Sequence, residues 1–514
     1  WNITGWIFAC NDYISSKPTA VKSHKILSGK MLRTSYQIFR CFNRRGLLWK
    51  QSPRYLTEDE KKDIPAVGKY RSPWKMFRKE MKDYFDENIT PIEPEIPLET
   101  EALIIGGGAI GSSVAFWLKQ RNPKGIRVTV IERDPGYTQA SSMLAVGGIR
   151  HQFSVSENVQ LSMFTSEFLR NIREYLSVLD SDPPDVQFNH QGYLFLVPEE
   201  RAEYLSQSVE MQTNLGAKIR LMNREMLAQK FPWLNLDGIA LGSYGMEGEG
   251  WFDPWLLVRA LKAKNISMGV QYVKGEVVDF DLKEVGLPGK KELVLDSTVI
   301  KNPEGQLFKC KMSYVVNCAG PWAGQIARMA GIGVRKEEGL STPLPVEPRK
   351  RYVYVVHCPD GPGLETPLTI DTTGVYFRRE GLGGYYLCGA SPNSEEEEPD
   401  TSNLDVDYDF YEKHVWPALA YRVPKFEVSK LKSAWAGFYD YNTFDQNLVI
   451  GPHPYHKNMV FANGLSGHGI QHAIPIGRAL MELLIDGEYK TIDLSRFEFP
   501  RLVDNEPIQE VAIV

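Results

Sequence analysis

Cysteine is scarce in this chain: six residues in 514 (Cys10, Cys41, Cys310, Cys318, Cys358 and Cys388), with no CxxC pair. That spacing excludes a zinc ribbon and a disulfide scaffold, and it suits a reducing compartment. A twenty-residue apolar run is also missing. The longest candidate, ALIIGGGAIGSSVAFWL at 102–118, is broken by glycines, so no transmembrane helix is predicted. A strong basic excess is absent as well. The net charge of −5 argues against a general nucleic-acid binder. Internal repeats are lacking, and the one low-complexity stretch, Glu395–Glu398, reads as a solvated loop. His151, His357, His453 and His456 show no ligand spacing with acids, so no metal site is predicted.

Acidic residues are almost missing from residues 1–56. That segment holds ten basic residues and one acid, Asp12, for a net +9, and the remaining 458 residues carry −14. From Met31, the first methionine, MLRTSYQIFRCFNRRGLLWKQSPRYL places Arg33, Arg40 and Arg44 on one helical face, opposite Leu32, Ile38, Phe39 and Phe42. An Arg-rich, acid-free amphipathic start predicts a mitochondrial targeting leader, with delivery to the matrix side. A disordered basic tail is the plainer alternative, and residues 1–30 can lie upstream of the true start. Residues 57–98 read as a linker. Trp74, Phe77, Met81 and Phe85 mark a short amphipathic helix there, and prolines 91, 94 and 97 follow it.

What is present is a nucleotide motif. The apolar strand ALII (102–105) runs into Gly106, Gly107, Gly108, Ala109, Ile110 and Gly111, then a helix, then the strand RVTVIERD with Glu132 near its end. Gly106 makes the tight turn, Gly108 lets backbone approach a pyrophosphate, and Gly111 lets helix and strand pack closely. The helix N-terminus offers free N–H groups to the anion, and Glu132, followed by Arg133, can accept from ribose hydroxyls. This predicts a doubly wound α/β dinucleotide domain. The motif alone leaves FAD against NAD open.

Five further segments bear on that choice. YTQASSMLAVGGIRHQF (137–153) offers small residues for backbone contact, Ser141, Ser142, Gly147 and Gly148, followed by Arg150. The segment 247–278 reads as turn, helix and strands, ending near Val277. YVVNCAGPWAGQIARMAG (314–331) is a buried strand entering a turn at Ala319 and Gly320. SAWAGFYDYNTFDQNLVIGP (433–452) sets aromatics beside Gly437. NMVFANGLSGHGIQHAIPIGRALMELLIDG (458–487) brings a second glycine-rich loop to a helix start at Gly464, Ser466, Gly467, His468, Gly469 and Ile470. Its N–H groups could meet the pyrimidine end of a flavin, which gains negative charge on reduction. A tight turn with a satisfied histidine is the alternative. Cys318 reads as core, and the run Arg349, Lys350, Arg351 stays unassigned.

In this order the segments resemble the D-amino-acid oxidase/sarcosine oxidase (DAO) family of FAD enzymes over about residues 99–500. The resemblance implies a Rossmann-type FAD domain (99–190, 247–335 and 430–500) with an interleaved antiparallel-sheet substrate domain (191–246 and 336–429), a glutathione-reductase-2-like arrangement, and a tail at 501–514. GYLFLVP (192–198) and RYVYVV (351–356) read as strands of the second domain. By the same resemblance Arg150 matches a carboxylate-binding arginine, and Tyr376 and Tyr439 match tyrosines walling the substrate pocket. Gln471 stands where the family has a second carboxylate-binding lysine. Tyr386 aligns with the lysine over the flavin, Ala390 with a neighbouring histidine, and Gly437 with the cysteine that holds the flavin in some relatives. These departures imply FAD held non-covalently, an eroded amine-oxidase site, and slow reaction with oxygen.

A closer likeness lies in LPVEPRKRYVYV (344–355), GMEGEGWFDPW (245–255), WAGFYDYNTFDQN (435–447) and SGHGIQ (466–471). It is to a vertebrate mitochondrial branch of that family and implies a part in assembly of respiratory-chain complex I. The implied partners are complex I subunits or assembly intermediates and a small amine or amino acid, with peripheral contact to the inner membrane and no nucleic acid. Three functions stay open: an assembly flavoprotein that oxidises an amine with an acceptor other than oxygen, a metabolic amine or N-methyl amino acid dehydrogenase or oxidase, and a catalytically silent flavoprotein scaffold.

Overall fold

Residues 102–105 are apolar at every position because the strand they form is covered on both faces. In the computed structural model Ala102 and Ile104 belong to one hydrophobic core and Leu103 and Ile105 to a second, on the opposite side of the sheet. The structure describes residues 94–511 apart from 180, 288–289, 337–338 and 393. The leader and the helix expected at 74–85 lie outside the described residues.

Seven elements build the site: β1 (Glu99–Ile105), α1 (Ala109–Arg121), β2 (Val128–Glu132), α2 (Ser156–Arg170), β3 (Val346–His357), β4 (Lys430–Asn442) and α3 (Gly469–Met481). The first sheet runs in the order Val449–Pro452, Met459–Asn463, Leu307–Asn317, β1, β2, Gln271–Lys274. All its pairings from Met459–Asn463 onward are parallel. A long hairpin, Glu276–Leu287 with Lys290–Lys301, is added antiparallel to Leu307–Asn317. Helices α1 and α3 pack on one face. Gly477 of α3 has no room for a side chain against the Ser113 backbone, and the Ile474 carbonyl accepts from Ser113 Oγ (3.1 Å) and Trp117 Nε1 (3.0 Å) of α1. Among the described residues no helix is long and apolar enough to cross a membrane.

The second sheet has eight strands, ordered β4, β3, Tyr385–Gly389, Tyr376–Glu380, Leu368–Ile370, Tyr193–Val197, Leu241–Gly245, Ile219–Asn223. It is antiparallel except where Leu368–Ile370 meets Tyr193–Val197. The strands expected at 192–198 and 351–356 are both in it. The segment 430–442, grouped with the FAD domain on sequence grounds, pairs with β3 along its length and forms the edge of this sheet. Side-chain alternation decides which residues reach the site. Tyr352, Tyr354, Val356, Phe377, Tyr386 and Cys388 point into a core shared with Tyr411, Leu419 and Phe426. Arg351, Val353, Tyr376, Gly437 and Tyr439 face a cleft between the two sheets.

Candidate functional site

The cleft begins at the C-terminal end of β1. Gly106 has φ +98°, and a Cβ there would overlap the Cys318 carbonyl. A Cβ on Gly111 would overlap the Gly106 carbonyl. Both positions need glycine for the fold itself. Gly108 differs, because a Cβ there would meet only Ser142 Oγ, at 3.2 Å, and the space beyond is the cleft. That open face lets backbone approach a ligand. Ala109 N–H donates to Ser142 Oγ (3.1 Å) as α1 begins, and Ser141, Ser142 and Ile110 line the same wall.

Glu132 closes the adenosine end. Its carboxylate accepts from Gly107 N–H (2.8 Å) and Asp134 N–H (2.8 Å) and lines the cleft. Burial raises its pKa, and the two N–H bonds oppose the rise. Tyr137, which the sequence reading did not single out, donates its hydroxyl to the Gly107 carbonyl (3.1 Å). Arg133 lies over the Trp322 ring, 4.4 Å from its centre, and Val277, Ala319 and Gly320 complete this end.

Toward the second sheet the wall is Gly147, Gly148, Gly437 and the loop 466–470. Gly467 has φ +104° and lies flat on Tyr439, where a Cβ would come within 2.6 Å of the ring. Gly464, at φ +82°, helps turn this loop from outside the cleft lining. Asp440 organises the turn: its carboxylate accepts from Gly464 N–H (2.9 Å) and Leu465 N–H (3.1 Å). Burial lifts its pKa to about 6 against the pull of those bonds. Helix α3 starts directly after His468, so its N-terminal N–H groups lie at the cleft wall. Burial, then the charge of Arg150, lowers His468 to about 3, so its imidazole is neutral.

The remaining predicted residues, Arg150, Tyr376, Tyr439 and Gln471, line the same cleft. Arg150 is buried, donates from Nη1 to the Gln152 carbonyl, and stacks on Phe153 (4.1 Å) and Phe195 (5.0 Å). Tyr193 joins Tyr376 and Tyr439 as a third tyrosine of this chamber. Sequence alternation in YLFLV could have flagged it. Burial raises all three phenols, Tyr193 to about 12, so their hydroxyls keep their protons.

Gln471 has a different task from the one its alignment implied. Its Oε1 accepts from the Arg150 backbone N–H (2.9 Å) and Ser162 Oγ (2.9 Å), tying the segment after Gly148 to α2 and α3. Tyr386 is a clear correction. Its ring packs edge-on against Phe426 in the core behind the sheet, and its hydroxyl receives Gly363 N–H (3.1 Å). Ala390 lies in that same core. A guanidinium does enter the cleft, that of Arg351, from the run left unassigned. No lysine lines the cleft among the described residues; its cations are Arg133, Arg150 and Arg351.

The cavity, about 300 Å³, runs unbroken from Glu132 to Tyr376. Two helix N-termini, the open face of Gly108 and an adenosine-side carboxylate fit FAD in an extended pose. Gly437 offers no thiol to attach it.

Comparison with known proteins agrees. The sequence profile of the FAD dependent oxidoreductase family (DAO) matches residues 101–483. "FAD-dependent oxidoreductase domain-containing protein 1" of Xenopus laevis is 50% identical over 442 residues, 83% of this chain and 87% of that protein. The Bos taurus protein of that name is 52% identical over 427 residues, 81% and 88%. Among solved structures, L-proline dehydrogenase from P. horikoshii superimposes with a TM-score of 0.66 at 24% identity, covering 80% of this chain and 100% of that one. With the motif, the cleft and these matches in agreement, the chain belongs to the FAD-dependent oxidoreductase (DAO) family, and FAD is its cofactor.

Proposed function

We propose that this flavoprotein works on the matrix side of the mitochondrion, assists assembly of respiratory-chain complex I, and oxidises an amine or amino acid with an acceptor other than oxygen. The chemical part rests on one observation: Arg150, the buried Tyr193 and the half-buried Tyr376 and Tyr439 line one cleft. A guanidinium fork suits a carboxylate, and protonated phenols suit its remaining oxygen or a neutral amine. These groups would orient the substrate and keep water out, while bound FAD would supply a two-electron acceptor for the Cα–H hydride. L-proline dehydrogenase, the solved structure compared above, is named for an amino-acid substrate, which supports the substrate class. The Arg-rich stretch 31–56, free of acids, supports the mitochondrial address. The likeness in 344–355 and 435–447 supports the assembly role.

Gln471 favours a second reading, a flavoprotein scaffold without turnover, because its carbonyl is committed to Arg150 N–H and Ser162. One experiment separates the two. Purified protein is mixed anaerobically with a panel of N-methyl and D-amino acids, and flavin absorbance is followed. Bleaching by one compound, lost in Arg150→Ala, supports turnover. No bleaching, with complex I fully restored by Arg150→Ala in cells lacking the protein, supports the scaffold. Failure of the wild-type chain to restore complex I would sink the assembly role.

A further inference from the structure

The cleft holds a cation that the proposed reaction leaves unused. Arg351 lies on β3 directly opposite Gly437 of β4, and it is 9% exposed. Its Nη1 and Nη2 donate to the two carboxylate oxygens of Glu398 at 2.7 and 2.8 Å. Its Cζ sits 5.4 Å from the centre of the Tyr439 ring. Its Nε is buried with no hydrogen-bond partner among the described residues. Arg349, two positions away on the same strand face, makes the contrast. It too meets acids, Glu347 (2.9 Å), Glu395 (2.7 Å) and Glu398 (3.7 Å), but Arg349 does not line the cleft.

The position of Arg351 in the cleft follows from its neighbours. Gly437, Tyr439 and the loop at Gly467 form the wall of the end away from Glu132 and the pyrophosphate turn. That end would receive the ring system of a cofactor whose pyrophosphate is held at the Gly108 turn. Arginine keeps its charge at any working pH, and a buried charge acts through a low dielectric. A flavin ring gains negative charge on reduction, and charged groups beside it tune its electronics. Glu398 keeps the guanidinium from being buried alone, which would be costly, and it offsets part of its field.

We propose that Arg351 and Glu398 form a charge pair that sets the redox potential of the bound flavin, the guanidinium favouring the reduced form and the carboxylate withholding part of that effect. The inference rests on the FAD assignment and not on any amine substrate.

The test is the midpoint potential of the holoprotein, measured by equilibration with redox dyes. It needs bound flavin but no turnover, so a protein silent toward every amine still answers it. In Arg351→Gln the reduced-to-oxidised ratio at a fixed dye potential should fall by about threefold or more. In Glu398→Gln it should rise by a similar factor. Arg127→Gln, in an exposed ion pair away from the cleft, should leave it unchanged. Opposite shifts in the first two variants support the pair. Unchanged midpoints in both, or shifts of the same sign, overturn it. If Arg351→Gln fails to retain flavin, Glu398→Gln, which does not line the cleft, alone decides, by a rise or its absence.

Discussion

At the scale of single residues, Gln471 shows how a position that looks like lost chemistry can be structural. Alignment set it where a lysine would supply charge, and it reads there as a weakened carboxylate binder. In the fold its Oε1 receives two donors, Arg150 N–H and Ser162 Oγ, both buried. A lysine has no acceptor, so Gln471→Lys would leave both donors unmet. The expected cost is about 1–3 kcal/mol of stability, read as a lowered thermal midpoint of the holoprotein, with no gain in amino-acid affinity. A lysine variant as stable as wild type would remove this role. The glycines of the nucleotide motif were legible because their demands are local: a turn at Gly106, a contact at Gly111, an open face at Gly108. Tyr386 was misread for a different reason. Along a strand, one position decides between cleft and core, and an alignment that slips by one residue reverses the answer.

At the scale of elements, the tail after residue 500 carries a contact that no local pattern announces. Helix α2 begins after Val155, whose side chain cannot accept a hydrogen bond from the helix start. The acceptor comes from far along the chain. Glu510 takes Ser154 N–H (2.7 Å), Ser154 Oγ (2.6 Å), Val155 N–H (3.2 Å) and Asn158 Nδ2 (3.0 Å). A carboxylate there also meets the positive end of the helix dipole. The same helix carries Ser162, so the tail braces the wall that holds Gln471 and Arg150. Glu510→Gln keeps the shape and removes the charge. It should cost about 1–2 kcal/mol, measured as a lower denaturant midpoint with an unchanged slope. An unchanged midpoint would show the brace to be idle. Sequence pattern placed α1, α3 and the strands at 102–105 and 128–132, since a βαβ unit is contiguous, but not the long hairpin Glu276–Leu287 with Lys290–Lys301. It grouped 430–442 with the wrong sheet because the partner of that strand, β3, lies some eighty residues away.

At the scale of the whole molecule, stability should depend on pH through a buried acid behind the chamber. Glu249 is 1% exposed. It accepts from Gln152 Nε2 (2.8 Å), and Gln152 in turn accepts from Ser243 and neighbours Arg150. Gly245 has no side chain because one would overlap this carboxylate. Burial lifts Glu249 from 4.5 to about 8, opposed by the Gln152 bond and the field of Arg150. A raised acid binds its proton more tightly when folded, so the sign is fixed. Below the unfolded value both states are protonated and nothing is lost. Between about 4.5 and about 8 only the folded state holds the proton, and stability falls as pH rises. Above that window the loss is complete. Glu249→Gln mimics the neutral acid and should flatten this slope. The two proteins should unfold at similar temperatures near the bottom of that window, with the variant more stable near its top by about 4 kcal/mol. Thermal unfolding of both at several pH values across the window would check it, because every other titrating group is common to the pair. Parallel curves would mean that Glu249 is ionised in the folded protein. The guanidinium of Arg150 would then face a buried carboxylate that already answers its charge, and its claim on a substrate carboxylate would weaken accordingly.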